Sequence, residues 1–287
     1  MTYNGSHWIE KNISSLLKSS FPITIIVVDN ASTDTTVAIL EKFPEIYCIK
    51  SEVNLGFGKA NNIGIRYAIE NDFNSIFLLN QDTWVFENTI KTLIEKLKLF
   101  PEFGILSPLH FSSDEIKLDK NFESYYNRKT HFFDNSLAEV PFVNAAAWLI
   151  NSSCIKKAGL FAPEFNHYGE DRNYCDRLHY HGLKIGICTE SKIVHDREVV
   201  VNFNKDTLQS QYKVLNALLN INNSYLKSIV LGLKEVFGLP KYFLSRYGIK
   251  KAVFLFYKLF KYFFNQLFNW KAIWNSRAIA KVGKTGY

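Results

Sequence analysis

The chain has 287 residues, 47% hydrophobic and 21% charged, which excludes a disordered or collagen-like polymer and fits one large domain or a domain with an appendage. Its four cysteines, Cys48, Cys154, Cys175 and Cys188, form no CxxC pair, which argues against a disulfide scaffold and a structural zinc site and fits a reducing compartment. The net charge of +7 is uneven: residues 225–287 hold ten Lys and two Arg against one acid, Glu235, a net of +11, whereas residues 1–224 carry 22 basic and 26 acidic side chains, a net of −4. A basic tail on a near-neutral body points to an anionic partner, either nucleic acid or a membrane surface.

Met1–Gly5 has neither a basic n-region nor an apolar h-region, so no secretory leader is expected. The spacing of Trp8, Ile13, Leu16 and Leu17 predicts a helix over 7–19, broken at Pro22. Ile23–Val28 is a β-branched run ending at Asp29 and reads as a strand. Ser32-Thr33-Asp34 can cap a helix reaching about Phe43, Ile46–Ile49 is a short strand, and Gly56 opens a helix to about Glu70. Ser75–Leu79 reads as a buried strand that stops at Asn80-Gln81-Asp82, and a helix follows over 87–100. This alternation predicts an α/β protein with βαβ units and a mostly parallel sheet.

From Gly104 to Glu139 the pattern loosens, and His110–His131 reads as a loop or an inserted segment at the sheet edge. Val140–Ile150 is apolar again, Phe165–Gly169 is loop-like, and Glu170 opens a helix to about His181. Lys184–Cys188 is a last short strand, followed by Val194-His195. The division expected is a domain over 1–205 and a helical, basic, aromatic region over 206–287.

In that region, Lys251, Lys258, Lys261, Asn265 and Asn269 recur at helical spacing as one polar stripe on an otherwise apolar and aromatic helix. Lysines interrupt the run of about 20 uncharged residues a spanning helix needs. An in-plane amphipathic helix on an anionic membrane, using residues 225–275, fits better; packing on the protein's own core or on a partner subunit is the alternative. Phe-rich surfaces without Gly spacing look unlike nucleic-acid stacking platforms, so no nucleic-acid partner is expected.

Acids fall at the carboxyl ends of predicted strands or at the mouth of the same sheet: Asp29, Asp82 and the pair Glu170-Asp171. In open α/β sheets that rim is where ligands bind. Each residue alone has an ordinary explanation: Asp82 as a turn cap, Glu170-Asp171 as a complement to a helix dipole, His195 as a structural histidine. Together they combine metal-ligand and general-base chemistry. Gly56-Phe57-Gly58 is not a dinucleotide fingerprint, because the third glycine position, 61, holds Asn.

Thr2-Tyr3-Asn4, Val27-Val28-Asp29-Asn30-Ala31-Ser32-Thr33-Asp34, Asn54-Leu55-Gly56-Phe57-Gly58-Lys59-Ala60-Asn61-Asn62-Ile63-Gly64, Leu79-Asn80-Gln81-Asp82, and Gly169-Glu170-Asp171 with Cys175 and Arg177-Leu178 resemble, in order and spacing, family 2 glycosyltransferases of the GT-A fold. The rhamnosyltransferase-like enzymes of bacterial polysaccharide synthesis look most similar, and the resemblance covers about residues 1–200.

The resemblance implies a Rossmann-like sheet flanked by helices. It also implies inverting transfer of a sugar, rhamnose being one candidate, from a dTDP- or UDP-linked donor to a glycan or lipid-linked acceptor. Tyr3 and Asn4 match the nucleobase pocket, Asp29 the acid facing the nucleoside, and Asn30, Asn54 and Gly56 further nucleotide positions. Asn61 stands where many relatives carry Arg. Asp82 matches the last acid of the metal motif and would bind Mg2+ or Mn2+, hard ions that prefer oxygen ligands. Asn80 replaces that motif's first acid, which lowers the expected metal affinity, and Gln81 adjoins the donor. His195 matches a position near the metal or diphosphate, Asp171 the catalytic base, and Glu170 a residue that positions acceptor or base. Such enzymes work at the cytoplasmic face of the membrane; a non-catalytic nucleotide-sugar-binding member of an assembly complex, or a nucleotidyltransferase, is the competing expectation. Only Met1 precedes the Thr-Tyr-Asn motif, where the family has a full strand; either the start is truncated or mis-chosen, or the sheet lacks its first strand, which would leave a strand edge unpaired and the nucleobase pocket open.

Overall fold

The protein is described here from a computed structural model that covers residues 1–197 and 201–286. It forms two compact units that interleave along the chain. The first comprises Met1–Lys157 and the strand that begins just after Gly182; the second comprises Ala158–His181 and the C-terminal helices.

In the first unit, α1 (Ile9–Leu17) leads to β1 (Ile25–Asp29), α2 (Thr36–Leu40), β2 (Ile46–Lys50), α3 (Phe57–Glu70), β3 (Ser75–Leu79), β4 (Thr83–Val85) and α4 (Thr89–Leu99). Then come β5 (Phe103–Phe111), α5 (Lys120–Tyr126), β6 (His131–Asp134), β7 (Leu137–Glu139), β8 (Ala147–Asn151), α6 (Ser152–Ala158) and, after the excursion into the second unit, β9 (Lys184–His195). β1 and β2 pair in parallel as a two-stranded sheet. The larger sheet has the order β3-β8-β5-β9-β7-β6, with β4 paired to β9.

The α/β class holds, and the sheet is mixed where a mostly parallel one was expected. Only β1–β2 and β5–β9 are parallel ladders among the named strands; β8 runs antiparallel between β3 and β5, and β4 and β7 are antiparallel to β9. The chain enters β8 through a loop and not a crossover helix, so that strand points the other way. A second correction concerns 104–139. That stretch contains β5, central between β8 and β9 and buried almost throughout. Ser107, Pro108 and His110 hid its apolar pattern; a register shift at Pro108/Leu109 accommodates the proline, which a regular central strand excludes. Only β6 and β7 form the expected edge feature.

The apolar faces of α1 and α4 meet the sheet residues Ile25, Val27, Val85 and Ile193 in one cluster. Leu93 and Leu97 of α4 pack with Phe103, Leu106, Leu149 and Cys188 in another. These clusters fix the strands whose carboxyl ends carry the acids.

The second unit is helical: α7 (Glu170–Tyr180), α8 (Phe203–Leu219), α9 (Tyr225–Phe268) and α10 (Trp270–Lys281). α9 contains Pro240 and is interrupted at Gly248, with φ 76° and ψ 171°. After that break, Ala252, Leu255, Leu259 and Phe263 are buried at helical spacing, and the last three pack with Leu215 and Leu218 of α8. One stripe of the tail thus covers the unit's own core. Another stays exposed: Phe254, Tyr257, Phe260 and Phe268, continued by Trp270 and Trp274. No helix is long and apolar enough to cross a membrane among the described residues.

Candidate functional site

The first unit gathers Tyr3, Asn4, Asp29, Asn30, Asn54 and Gly56 through hydrogen bonds. Thr2 bridges β1 in parallel: its N–H donates to the Val28 carbonyl at 2.9 Å and its own carbonyl accepts from Asn30 N at 2.8 Å. Asn4, at φ 46°, accepts from Thr33 N at 2.8 Å through Oδ1. Asn30 Nδ2 donates to Asn54 Oδ1 at 3.0 Å, and the same oxygen accepts from Gly56 N at 2.9 Å. Asn30 Oδ1 accepts from Leu55 N at 2.8 Å. These amides tie the loop after β1 to the loop that opens α3.

Asp29 is 2% exposed; its Oδ2 accepts from Ser32 N at 3.1 Å, and its Oδ1 is buried with no hydrogen-bond partner. A buried carboxylate oxygen without a donor is costly unless a ligand supplies one. Asn61 is buried on α3, where its Nδ2 donates to the Phe57 carbonyl at 2.9 Å, and it lines the cavity beside β1.

Gln81 links the start of the chain to the end of β3. Its Oε1 accepts from Thr2 Oγ1 at 2.6 Å and Tyr3 N at 2.8 Å, and its Nε2 donates to the Tyr3 carbonyl at 3.1 Å. A Cβ on Gly5 would collide with the Gln81 amide and the Thr2 hydroxyl, so the close approach requires glycine there. Gly5 was not singled out in the sequence; its position just after Tyr3-Asn4 was the available signal. Asn80 anchors the same turn through its backbone, donating to the Ala146 carbonyl and accepting from Asn12 Nδ2 and Thr83 Oγ1.

Asp82 follows at the carboxyl end of β3, and the pairing of β4 with the last residues of β9 brings His195 to it. Asp82 Oδ2 lies 3.3 Å from His195 Nε2, while Oδ1 is buried without a partner. Arg197 Nη2 lies 3.4 Å from His195 Nδ1. The sequence reading missed His110, which is fully buried, stacks on Phe122 with centroids 4.2 Å apart, and meets Ser107 Oγ at 3.0 Å through Nε2. Burial first, then the charges of His195 and Arg197, hold its imidazole well below the usual histidine value. Trp8 was seen only as a helix residue; its Nε1 donates to Asp196 Oδ2 at 3.0 Å, beside the same end of β9.

No group of three or more His, Cys, Asp or Glu side chains is placed to hold a metal among the described residues. The residues present still fit a divalent cation that takes most of its ligands from a bound diphosphate: Asp82 offers an unused carboxylate oxygen and His195 an imidazole nitrogen. Asn80 adds no charge to that set.

In the second unit, Glu170 and Asp171 stand together in the first turn of α7. Gly169 precedes them at φ 88°, and a Cβ there would come within 2.9 Å of Asn216 Nδ2 and 3.0 Å of Tyr212 Cβ on α8. Asn216 Nδ2 donates to the Gly169 carbonyl at 2.9 Å, so α8 holds the turn that presents the acids. Burial pushes the Glu170 carboxyl up to about 7, and Asp171 adds to the shift; Glu170 Oε2 is buried with no partner. Asp171 Oδ1 accepts from Arg172 N at 2.7 Å. Arg177 anchors the far turn of α7 on the Ala158 and Leu160 carbonyls. A carboxyl near 7 beside a second acid is suited to proton transfer at neutral pH.

An α/β unit with polar loops and an acid–imidazole pair at its strand ends has the make-up of an enzyme that binds its ligand at the carboxyl edge of the sheet. The model of the glycosyl transferase family 2 matches residues 1–156, more than half of the chain, and the chain belongs to that family. It is 24% identical over 220 residues to the low-salt glycan biosynthesis hexosyltransferase Agl10 of Haloferax volcanii, covering 71% of this chain and 69% of that protein. It is 24% identical over 234 residues to the dTDP-rhamnosyl transferase RfbF of Shigella flexneri, covering 74% and 75%. Among solved structures, residues 1–349 of Staphylococcus aureus TarS superpose with a TM-score of 0.66 at 16% identity, over 91% of this chain and 77% of that one. The mannosyltransferase PcManGT of Pyrobaculum calidifontis, in complex with GDP-Man and Mn2+, superposes with a TM-score of 0.61 at 16% identity, over 99% and 84%. These likenesses establish the GT-A fold.

Proposed function

We propose that the protein transfers a sugar, with inversion, from a nucleotide-diphosphate donor to a glycan or lipid-linked acceptor in cell-surface polysaccharide synthesis. The observation that carries the reading is the Asp82–His195 pair at the ends of β3 and β9, with Asp82 Oδ1 buried and unsatisfied. The relative named as a dTDP-rhamnosyl transferase supports a dTDP-linked donor with rhamnose among the sugars, and a UDP-linked donor is the alternative within the proposal.

In this reading Tyr3, Asn4, Asp29, Asn30, Asn54, Gly56 and Asn61 bind or shape the nucleotide site, and Asn80 and Gln81 border the donor. Asp82 and His195 would hold Mg2+ or Mn2+, which when bound neutralises charge on the diphosphate. Asp171 accepts the proton of the acceptor hydroxyl. Glu170, its own carboxyl near 7, keeps that turn partly protonated and orients acceptor or base. The transferase domain is proposed over 1–205, and the helical region 206–287 serves as the contact to an anionic membrane at the cytoplasmic face. Its exposed Phe254, Tyr257, Phe268 and Trp270 would enter the acyl boundary while lysines meet headgroups.

Incubation with dTDP- and UDP-sugars, Mn2+ and a lipid-linked glycan tests the reading. Free nucleoside diphosphate is expected, and Asp171→Asn should lower its release by 100-fold or more, roughly the contribution of a positioned base. Release of pyrophosphate would make the protein a nucleotidyltransferase. Tight donor binding without turnover would favour a second reading, a nucleotide-sugar-binding member of an assembly complex, which the single metal-motif carboxylate, with Asn80 in place of the first, supports.

A further inference from the structure

The loop over 165–169 leads into the two acids of α7, and one face of α8 grips it at both ends. Tyr212 and Asn216 are one turn apart on α8 and so share a face. Tyr212 Oη accepts from Asn166 N at 3.2 Å. Asn216 Nδ2 donates to the Gly169 carbonyl at 2.9 Å. Phe165 packs on the Tyr212 ring, with centroids 5.5 Å apart. Lys205, two turns before Tyr212, sets its ammonium 5.7 Å from the centre of the Tyr168 ring.

The backbone between the two grips is held where it would not rest alone. Tyr168 has φ 75° and Gly169 φ 88°, two successive residues in the left-handed region. A bulky side chain rarely adopts that region, and such residues persist only where their surroundings over-determine them. The hydroxyl of Tyr212 and the amide of Asn216 supply that determination on either side of Tyr168.

The grip is not built for stability alone. Asn216 is 7% exposed, and its Oδ1 is buried with no hydrogen-bond partner. Glu170 Oε2, beside the same Gly169, is a second buried oxygen with none. Orphan acceptors of this kind cost free energy. A leucine at 216 would bring no orphan oxygen of its own, but it could not hold the Gly169 carbonyl. What the amide contributes is that bond, and the bond sets where α7 starts.

We propose that Tyr212 and Asn216 are positioning residues: a two-point clamp from α8 that fixes residues 166–169 and, through them, the orientation of Glu170 and Asp171 toward the acceptor. The role in transfer rests on the reading of those acids given above; the clamp itself acts on the turn and touches neither donor nor acceptor. It makes α8 a support of the acids as well as a part of the helical region.

The test uses the full chain with Tyr212→Phe, which removes only the hydroxyl, and Asn216→Leu, which keeps the volume and removes the amide. Tm should stay within about 4 °C of the parent. Carbon-13 NMR of the Glu170 carboxyl should show it titrating lower than the parent's value of about 7, by about one unit, because a loosened turn admits water. At saturating donor, release of nucleoside diphosphate should fall about tenfold or more with the donor KM unchanged, since misplaced acids slow the reaction without touching the nucleotide loops. Unchanged turnover in an active enzyme would overturn the proposal. So would a lower Tm with the parent's Glu170 titration, which would make the pair a structural contact only. A parent that binds donor without turnover would sink the transfer reading and not the clamp; the titration then decides, and an unmoved Glu170 overturns it.

Discussion

Oδ2 of Asp82 and Nε2 of His195 lie 3.3 Å apart at the ends of two strands, and the second oxygen of the carboxylate is buried with nothing to accept from. The pair comes from residues 113 positions apart and depends on β4 pairing with β9, Thr83 opposite His195. Asp82→Asn removes the charge and keeps the shape. Mn2+-dependent binding of a nucleoside diphosphate, measured by calorimetry with and without chelator, should fall tenfold or more, with Tm little changed. An unchanged metal dependence would remove Asp82 from the ligand set.

Glu170 gives a pH dependence. Its carboxyl titrates near 7 in the fold, against an ordinary value of 4.5, so the folded state holds a proton that the unfolded chain has released. Stability from this group is full below 4.5, declines as pH rises to about 7 and is flat above. Glu170→Gln carries no such loss. Urea denaturation should find the variant more stable than the parent at pH 8, by about 1–3 kcal/mol, with the gap closing toward pH 4.5. A constant gap across that range would show that Glu170 does not hold the proton.

Gly169 combines φ 88° with a contact surface that has no room for a methyl group. Gly169→Ala should cost about 2–3 kcal/mol in denaturant unfolding, from strain and from displacing Asn216 or Tyr212. A loss smaller than measurement error would mean that α7 and α8 part easily there.

Gln81 makes three bonds to Thr2 and Tyr3. Gln81→Ala should lower stability by about 1–2 kcal/mol and raise protease sensitivity near Tyr3. Gln81→Glu keeps the acceptor but loses the donor to the Tyr3 carbonyl, and should fall between the two.

Three exposed aromatics of α9 lie outside the buried core cluster, with Phe254 meeting the rim residue Phe203, ring centroids 6.2 Å apart. Phe254→Ser, Tyr257→Ser and Phe268→Ser together should reduce co-sedimentation with phosphatidylglycerol vesicles by tenfold or more while Tm holds. Equal sedimentation of parent and variant would refute the membrane role.

Much of this was legible in the chain. β1, β2, β3, α3, α4 and α7 lie where periodicity and turn residues put them, because each is a local pattern with its own start and stop signals. β5 was not, since Pro108, Ser107 and His110 interrupt its apolar run and only its neighbours β8 and β9 bury it. His110 went unseen for the same reason. The tail's helical spacing was clear, but spacing alone could not say which stripe packs on α8 and which stays exposed.

By itself the sequence determined the α/β class, the family signature and the identity of the acids at strand ends, because hydrophobic period and residue chemistry are local properties. Tertiary structure decided what those residues meet. Pairing of β4 with β9 set His195 against Asp82. Burial of Glu170 in the turn whose Gly169 carbonyl Asn216 holds moved its proton affinity. Each is a long-range contact, and its energy depends on desolvation and geometry that no window of sequence contains.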